Sequence, residues 1–163
     1  MPMNKNEIIN LIRELIERTT VGVEAISVAE NDVAKGKDSE ETIWIQAEVR
    51  EPYFFLDRGG EGLSALNHVV RKIVEARVEA ETPFNIMVDI NGFQRKKIEN
   101  LKAVAHMMAE RARYFKSNIE IDPMSAFERR IIHEFLSDAA DLKTESAGEG
   151  PNRRVVIKYI GGI

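Results

Sequence analysis

Pro123-Met124-Ser125-Ala126-Phe127-Glu128-Arg129-Arg130-Ile131-Ile132-His133 is the stretch that decides the fold and function of this chain. Pro123 precedes a helix that the pattern predicts from about Ser125 to Ala140. Ser125 followed three positions later by Glu128 makes a capping-box start. Arg129 and His133 lie one turn apart, so both emerge on the same helical face. Arginine supplies a permanent charge on a planar fork suited to phosphate. Histidine supplies a second donor and a ring able to stack. With Arg129 at the origin of a helical wheel, Phe127, Ile131, Ile132, Phe135 and Leu136 span the buried arc. Arg129 and His133 sit at its shoulder, while Arg130 and Glu134 point further out. The plainer role for the pair is local: His133 packs or caps, and Arg129 makes an internal ion pair.

Working outward, Lys5 to Arg18 carries Ile8, Leu11, Ile12, Leu15 and Ile16 at helical spacing. Val21 to Val28 is rich in strand-forming residues, with its alternation slipping near Ala25. Asn31 to Glu41 holds Gly36, Asp38 and Ser39 and is expected to be a loop. Thr42 to Val49 alternates cleanly, with Ile43, Ile45, Ala47 and Val49 on one side and Thr42, Trp44, Gln46 and Glu48 on the other. The two strands suggest an antiparallel pair. Trp44 on the polar side marks either an interface or packing under the N-terminal helix.

Pro52 ends that strand, and the short apolar run Tyr53 to Leu56 leads into the turn Asp57-Arg58-Gly59-Gly60-Glu61-Gly62. Leu63, Leu66, Val70, Ile73 and Arg77 then mark a helix to about Ala80, broken by Thr82-Pro83. Phe84 to Ile90 is a strand and Asn91-Gly92 turns it. Arg95 to Lys116 is the longest helix, with Ile98, Leu101, Ala105, Met108, Ala112 and Phe115 as its apolar stripe. A short strand is expected at Ile119 to Ile121. Two more, Thr144 to Ser146 and Arg154 to Tyr159, flank the turn Gly148 to Asn152. The fold class is α+β, in the order α-β-β-α-β and then α-β-α-β-β, with two units meeting near Asn91.

The chain has 163 residues, 44% hydrophobic, enough for one ordinary domain or two small ones. It has no cysteine, which excludes a disulfide framework, a cysteine-based zinc site and a thiol nucleophile. No apolar run reaches the roughly 18 residues of a membrane span, and Met1 to Thr20 lacks the layout of a signal peptide. The expectation is a cytoplasmic protein with no membrane insertion. The histidines, His68, His106 and His133, show no metal-ligand spacing, and no G-x-S-x-G elbow is present. No enzyme activity, metal or cofactor is therefore expected.

The net charge of −4 is unevenly spread. Residues 1–91 hold 10 Lys and Arg against 17 Asp and Glu, a net of −7, and residues 92–163 hold 13 against 10, a net of +3. Polyanion binding needs local positive charge rather than a positive total, which favours the second half. Arg153 and Arg154 alternate on the last strand, so one of them is expected near the Arg129 helix. Arg95, Lys96 and Lys97 crowd the start of the long helix, where the dipole disfavours cations. That placement points to a phosphate or to a solvated helix end. Phe93 and Tyr159 are candidates for base stacking, though both suit a core.

The turn at Asp57 to Gly60 has the shape that lets a backbone approach phosphate, but it lacks the Walker lysine. In its α-β-β-α-β setting it resembles a bacterial KH domain, whose Gly-x-x-Gly turn corresponds here to Asp57-Arg58-Gly59-Gly60. Gly60 keeps the second glycine, and Asp57 replaces the first and adds a like charge where phosphate would sit. The second half is more specific. Asp89-Ile90-Asn91-Gly92-Phe93-Gln94-Arg95, the Pro123 to His133 stretch, and Thr144 through Gly148, Gly150-Pro151-Asn152 and Arg153-Arg154 to Ile157, in this order, resemble the Jag (KhpB, or SpoIIIJ-associated) family. Its second domain is named for an Arg-three-residues-His motif.

The resemblance covers roughly residues 20 to 160; members often carry a further N-terminal Jag domain, which is not expected in this sequence. It implies a KH-like domain over 1–91 and an R-three-H domain over 92–163. It implies binding of single-stranded RNA, with single-stranded DNA as the related ligand. The candidate residues are Arg129, His133, Arg153, Arg154, Arg95, Lys96 and Lys97, together with Arg58, Gly59 and Gly60 of the KH turn. It further implies a small single-KH partner protein or a homodimer, and roles in RNA regulation and cell envelope growth. The competing expectation, drawn from Asp57 and the acidic first half, is a protein-interaction module with vestigial nucleic-acid binding.

Overall fold

The computed structural model describes residues 3–29, 42–77 and 85–161. The expected loop at Asn31 to Glu41, the end of the second helix toward Ala80 and the break at Thr82-Pro83 lie outside the described residues. The chain divides into two compact units, Met1–Arg95 and Lys96–Ile163. The elements run α1 (Lys5–Arg18), β1 (Val23–Val28), β2 (Thr42–Val49), α2 (Tyr53–Arg77), β3 (Asn85–Ile90), α3 (Phe93–Phe115), β4 (Ile119–Glu120), α4 (Ala126–Leu136), β5 (Leu142–Ala147) and β6 (Arg154–Tyr159). A 3-10 turn, Gly150–Asn152, precedes β6. This is the α+β order that the residue patterns predict. Among the described residues no helix is long and apolar enough to cross a membrane.

In the first unit, α1 opens on a capping box. Asn4 Oδ1 accepts from the Glu7 amide at 2.9 Å, and Glu7 Oε2 accepts from the Asn4 amide at 2.8 Å. Its apolar stripe buries Ile8, Ile12 and Ile16 completely. These join Ile45, Ala47 and Val49 of β2, Leu63, Leu66, Val70 and Val74 of α2, and Ile86, Val88 and Ile90 of β3 in one core. The sheet order is β1-β2-β3, with β2 antiparallel to β1 and parallel to β3. A parallel neighbour requires a crossover, which α2 provides. The register shifts between Val23 and Ala25, a bulge at the place where the sequence alternation slips.

Two asparagines finish the sheet. Asn67 on α2 accepts from the Val88 amide at 2.7 Å and donates to the Val88 carbonyl at 3.0 Å, so a side chain takes the place of a strand neighbour along edge strand β3. Asn91, at φ 50°, accepts from the Val49 amide at 2.9 Å and donates to the Val49 carbonyl at 3.1 Å. Trp44 does not mark an exposed interface: it is buried at 6% exposure, and its indole N–H has no partner among the described residues.

Tyr53 to Leu56, expected only as an apolar run, forms the first turn of α2. The helix is then interrupted. Asp57 is extended (φ −59°, ψ 156°), and Arg58, Gly59 and Gly60 all take positive φ, at 54°, 73° and 85°. Arg58 is the one non-glycine of the three, and the left-handed conformation costs it about 1–2 kcal/mol. Asp57 has a φ open to any residue, so this turn needs no glycine at its first position. Gly62 resumes the helix against the first turn: a Cβ there would lie 2.8 Å from the Phe54 carbonyl oxygen and 2.9 Å from Phe55 Cα.

In the second unit the sheet order is β4-β6-β5, antiparallel throughout. Ala105, Ala109 and Ala112 of α3 and Ile132 and Leu136 of α4 bury against Ile121, Leu142, Val155 and Ile157. The small alanines let α3 approach closely. Arg113 Nε and Nη2 bind Asp141 in a bidentate fork at 2.6 and 2.9 Å, tying the end of α3 to the start of β5. The helix α4 ends at Leu136 rather than near Ala140, because the Ser137 hydroxyl takes the Glu134 carbonyl at 2.8 Å. Two wheel assignments fail. Phe135 is 41% exposed and Phe115 is 61% exposed, so neither belongs to the core.

Gly62→Ala is expected to lose about 1–3 kcal/mol of stability, since its methyl meets backbone that cannot step aside. Arg58→Gly is expected to gain about 1 kcal/mol by relieving the left-handed strain. Urea denaturation of both variants tests this pair of opposite signs.

Candidate nucleic-acid interface

The helix α4 starts as the sequence predicts. The Glu128 amide donates to Ser125 Oγ at 3.3 Å, and the Ser125 amide donates to Glu128 Oε2 at 2.7 Å. This fixes the first turn and with it the direction of Arg129. One guanidinium nitrogen of Arg129, Nη1, donates to the Met124 carbonyl at 2.8 Å. The Met124 amide donates in turn to the Arg153 carbonyl at 3.2 Å. Arg153 Nη1 donates to the Gly148 carbonyl at 3.0 Å. A single line of bonds thus runs from the Gly148 turn through Arg153 and Met124 to Arg129.

His133 is held more firmly than its spacing implies. Its Nδ1 lies 2.7 Å from Thr144 Oγ1 and its Nε2 lies 2.9 Å from Ser146 Oγ, so both ring nitrogens are bonded to hydroxyls of β5. A hydroxyl donates or accepts as needed, and the neutral ring is satisfied in either tautomer. Burial pushes the His133 pKa below its ordinary value, and the nearby Arg129 charge lowers it further. The ring is a neutral clasp between α4 and β5, and its two nitrogens are already committed. Thr144 and Ser146 were not singled out as functional by the sequence. Their i, i+2 spacing puts both on one face of a strand, which was the available signal.

The remaining candidates separate by what neutralises them. Arg129 and Arg153 bond only to carbonyls, and among the described residues neither is ion-paired, so their charge stays available. Arg153 lies outside β6, in the turn before it, and it is the one of the two arginines joined to the Arg129 segment. Arg154 begins β6 and gives its Nη1 to Glu120 Oε2 at 3.1 Å. Lys97 pairs with Glu128 at 3.1 Å. Burial alone would raise the Glu128 pKa, but the Ser125 bonds and the Lys97 ammonium outweigh it and hold the carboxyl below its usual range. Arg130 is likewise paired, with Glu134 at 2.9 Å.

The start of α3 already has its anion. Asp89, 1% exposed, accepts from the Gln94 amide at 2.8 Å and the Arg95 amide at 3.3 Å. The dipole argument for a phosphate at Arg95, Lys96 and Lys97 therefore loses its force. Lys96 is exposed, and the buried Nε of Arg95 has no partner among the described residues. Phe93 and Tyr159 are half-buried and packed on the cores of their own units, the core role that the sequence also allowed. In the first unit Arg58 and Gly59 are exposed, whereas Gly60 is buried with the Phe93 ring where its Cβ would be, at 2.6 Å.

A fold of this order, with an Arg-three-residues-His helix clasped to a three-stranded antiparallel sheet, defines a class of small α+β domain. The family model of that class, the R-three-H domain, matches residues 99–159. The chain is similar to RNA-binding protein KhpB of Bacillus subtilis (strain 168), 39% identical over 77 residues, covering 46% of this chain and 37% of the relative. It is also similar to RNA-binding protein KhpB of Clostridium symbiosum, 28% identical over 102 residues, covering 63% and 45%. RNA-binding protein KhpB of Streptococcus pneumoniae serotype 2 is 28% identical over 116 residues, covering 71% and 35%. Residues 99–159 thus match the R-three-H domain, and part of the chain is similar to KhpB proteins. The matches span between 35% and 45% of the length of these curated relatives.

The clasp carries a pH dependence with a definite sign. Because the folded His133 pKa lies below the ordinary 6.5, its contribution to stability is complete above about pH 6.5. It is lost as pH falls from there through the folded value, where the unfolded chain binds the proton first. Denaturant midpoints measured from pH 7.5 to 5 are expected to fall in the wild type and to flatten in His133→Gln. The pair Thr144→Val with Ser146→Ala is expected to cost about 1–3 kcal/mol by leaving the half-buried ring nitrogens unbonded.

Proposed function

We propose that this chain is a non-enzymatic, cytoplasmic RNA-binding protein that recognises single-stranded nucleic acid, RNA foremost, through an R-three-H domain at 92–163. The observation that carries the reading is the charge state of the Arg129 cluster. Within the matched R-three-H region, Arg129 and Arg153 are oriented by carbonyls and, among the described residues, left without a carboxylate. A planar guanidinium held in this way is prepared for a phosphate and gives up no ion pair to bind one. His133 sets the helix against the sheet beneath it. Arg154, Lys97, Lys96 and Arg95 are secondary contacts, the first two at the cost of existing pairs. Binding is mostly backbone contact, with modest sequence preference.

The KH-like domain at 1–91 contributes less. Arg58, Gly59 and Gly60 retain a turn of the right kind, but Asp57 opposes a phosphate there and the surrounding charge is net −7. A small single-KH protein, or a second copy of this chain, is the protein partner that the family resemblance supports. The names of the curated relatives support RNA as the ligand class.

Single-stranded RNA binding measured against salt tests the reading. The expected log-log slope is about −0.7 per neutralised phosphate. Arg129→Ala with Arg153→Ala is expected to weaken binding at least tenfold at low salt and to flatten the slope. Asp57→Gly is expected to bind equally or more tightly. Wild-type and double-variant affinities that coincide, with both proteins folded, would falsify the C-terminal site.

A further inference from the structure

The turn that interrupts α2 also walls a cleft of about 470 Å3, lined by Tyr53, Phe54, Asp57, Arg58, Glu61 and Gly62. The cleft is shallow and open to solvent, so it suits a side chain laid against its wall. Tyr53 and Phe54 are 59% and 54% exposed. The Phe54 ring stands edge-on against the buried Phe55 ring at a centroid distance of 5.0 Å, so an exposed aromatic is anchored on the core. Two carboxylates, Asp57 and Glu61, face the cleft against one guanidinium, Arg58. None of the three is ion-paired among the described residues. The wall is the turn in which Arg58, Gly59 and Gly60 take consecutive positive φ angles.

Aromatic faces attract cations through their quadrupole, and unpaired carboxylates bind them by charge-assisted hydrogen bonds. The same groups disfavour a phosphate. The charge around them has the same sign, with 10 basic against 17 acidic residues over 1–91. That field adds long-range attraction for a positively charged segment and not for RNA. A guanidinium fits better than an ammonium, because it stacks flat on a ring while forking to a carboxylate.

We propose that this cleft docks an arginine side chain presented by a basic segment of a partner protein. The inference rests on the first unit and is independent of the Arg129 site. A fluorescein-labelled peptide of alternating arginine and glycine tests it, titrated against the full chain by fluorescence anisotropy. The matching lysine-glycine peptide and a uridine decamer RNA are run in parallel. The arginine peptide is expected to bind more tightly than the lysine peptide. Phe54→Ala and Glu61→Gln are each expected to weaken it about tenfold, while Glu17→Gln, on exposed α1, leaves it unchanged. Arg129→Ala should leave peptide binding intact whatever it does to RNA, which separates failure of this site from failure of the other. Circular dichroism checks each fold, and the exposed, isosteric Glu61→Gln serves if Phe54→Ala is unstable. No peptide binding, or equal binding by wild type and Glu61→Gln, overturns the proposal. RNA binding that falls with Phe54→Ala and Glu61→Gln while peptide binding does not would make the cleft an RNA groove instead.

Discussion

The imidazole of His133, bonded at 2.7 Å to Thr144 and at 2.9 Å to Ser146, is the join on which the geometry of the second unit depends. It is the polar contact that fixes α4 to β5 beside the apolar core of Ile132, Leu136 and Leu142. Once α4 is set, Arg129 reaches the Met124 carbonyl, Met124 reaches the backbone of Arg153, and Arg153 reaches Gly148. Each bond contributes only about 1 kcal/mol net. Their effect is mainly directional, because they hold two guanidinium groups in place without cancelling either charge. Both ring nitrogens of His133 are committed to β5, whereas the Arg129 guanidinium keeps its charge unpaired among the described residues. Two residues that look equivalent on a helical wheel have different work.

The two units treat charge in opposite ways. In the second, several basic side chains are paired: Lys97 with Glu128, Arg113 with Glu110 and Asp141, Arg130 with Glu134, Lys143 and Lys158 with Glu145, and Arg154 with Glu120. Arg129 and Arg153 differ from these in being held by backbone carbonyls and not by carboxylates. In the first unit the unpaired groups at the α2 turn are mostly acidic and sit beside exposed aromatic rings.

Much of the fold was legible because its causes are local. Alternation over Thr42–Val49 and Arg154–Tyr159 marks strands by period alone, and the slip near Ala25 became a bulge. Ser125 and Glu128 wrote the start of α4 in four residues, and the bonds formed as the pattern implies. Asn91-Gly92 carried its turn, with positive φ at both positions. The end of α4 was less legible, since Ser137 stops the helix through a hydroxyl that the periodicity does not register. The helical wheel also placed Phe115 and Phe135 in the core by residue type, whereas the packed neighbours they would have needed are absent from those faces among the described residues.

The sequence by itself determined the order of elements, the split of charge, the Arg129–His133 pair on one helical face and the resemblance that they carry. These follow from spacing and composition, which act over a few residues. Tertiary structure decided which cations remain free, because ion pairs join residues far apart in the chain, as Glu120 and Arg154 do. It decided that Asp89 rather than a ligand caps α3, and that Trp44 is buried rather than displayed. It also gave His133 its partners. Thr144 and Ser146 are eleven and thirteen residues away, and only the antiparallel return of the chain through β5 brings two hydroxyls to the two nitrogens of one ring.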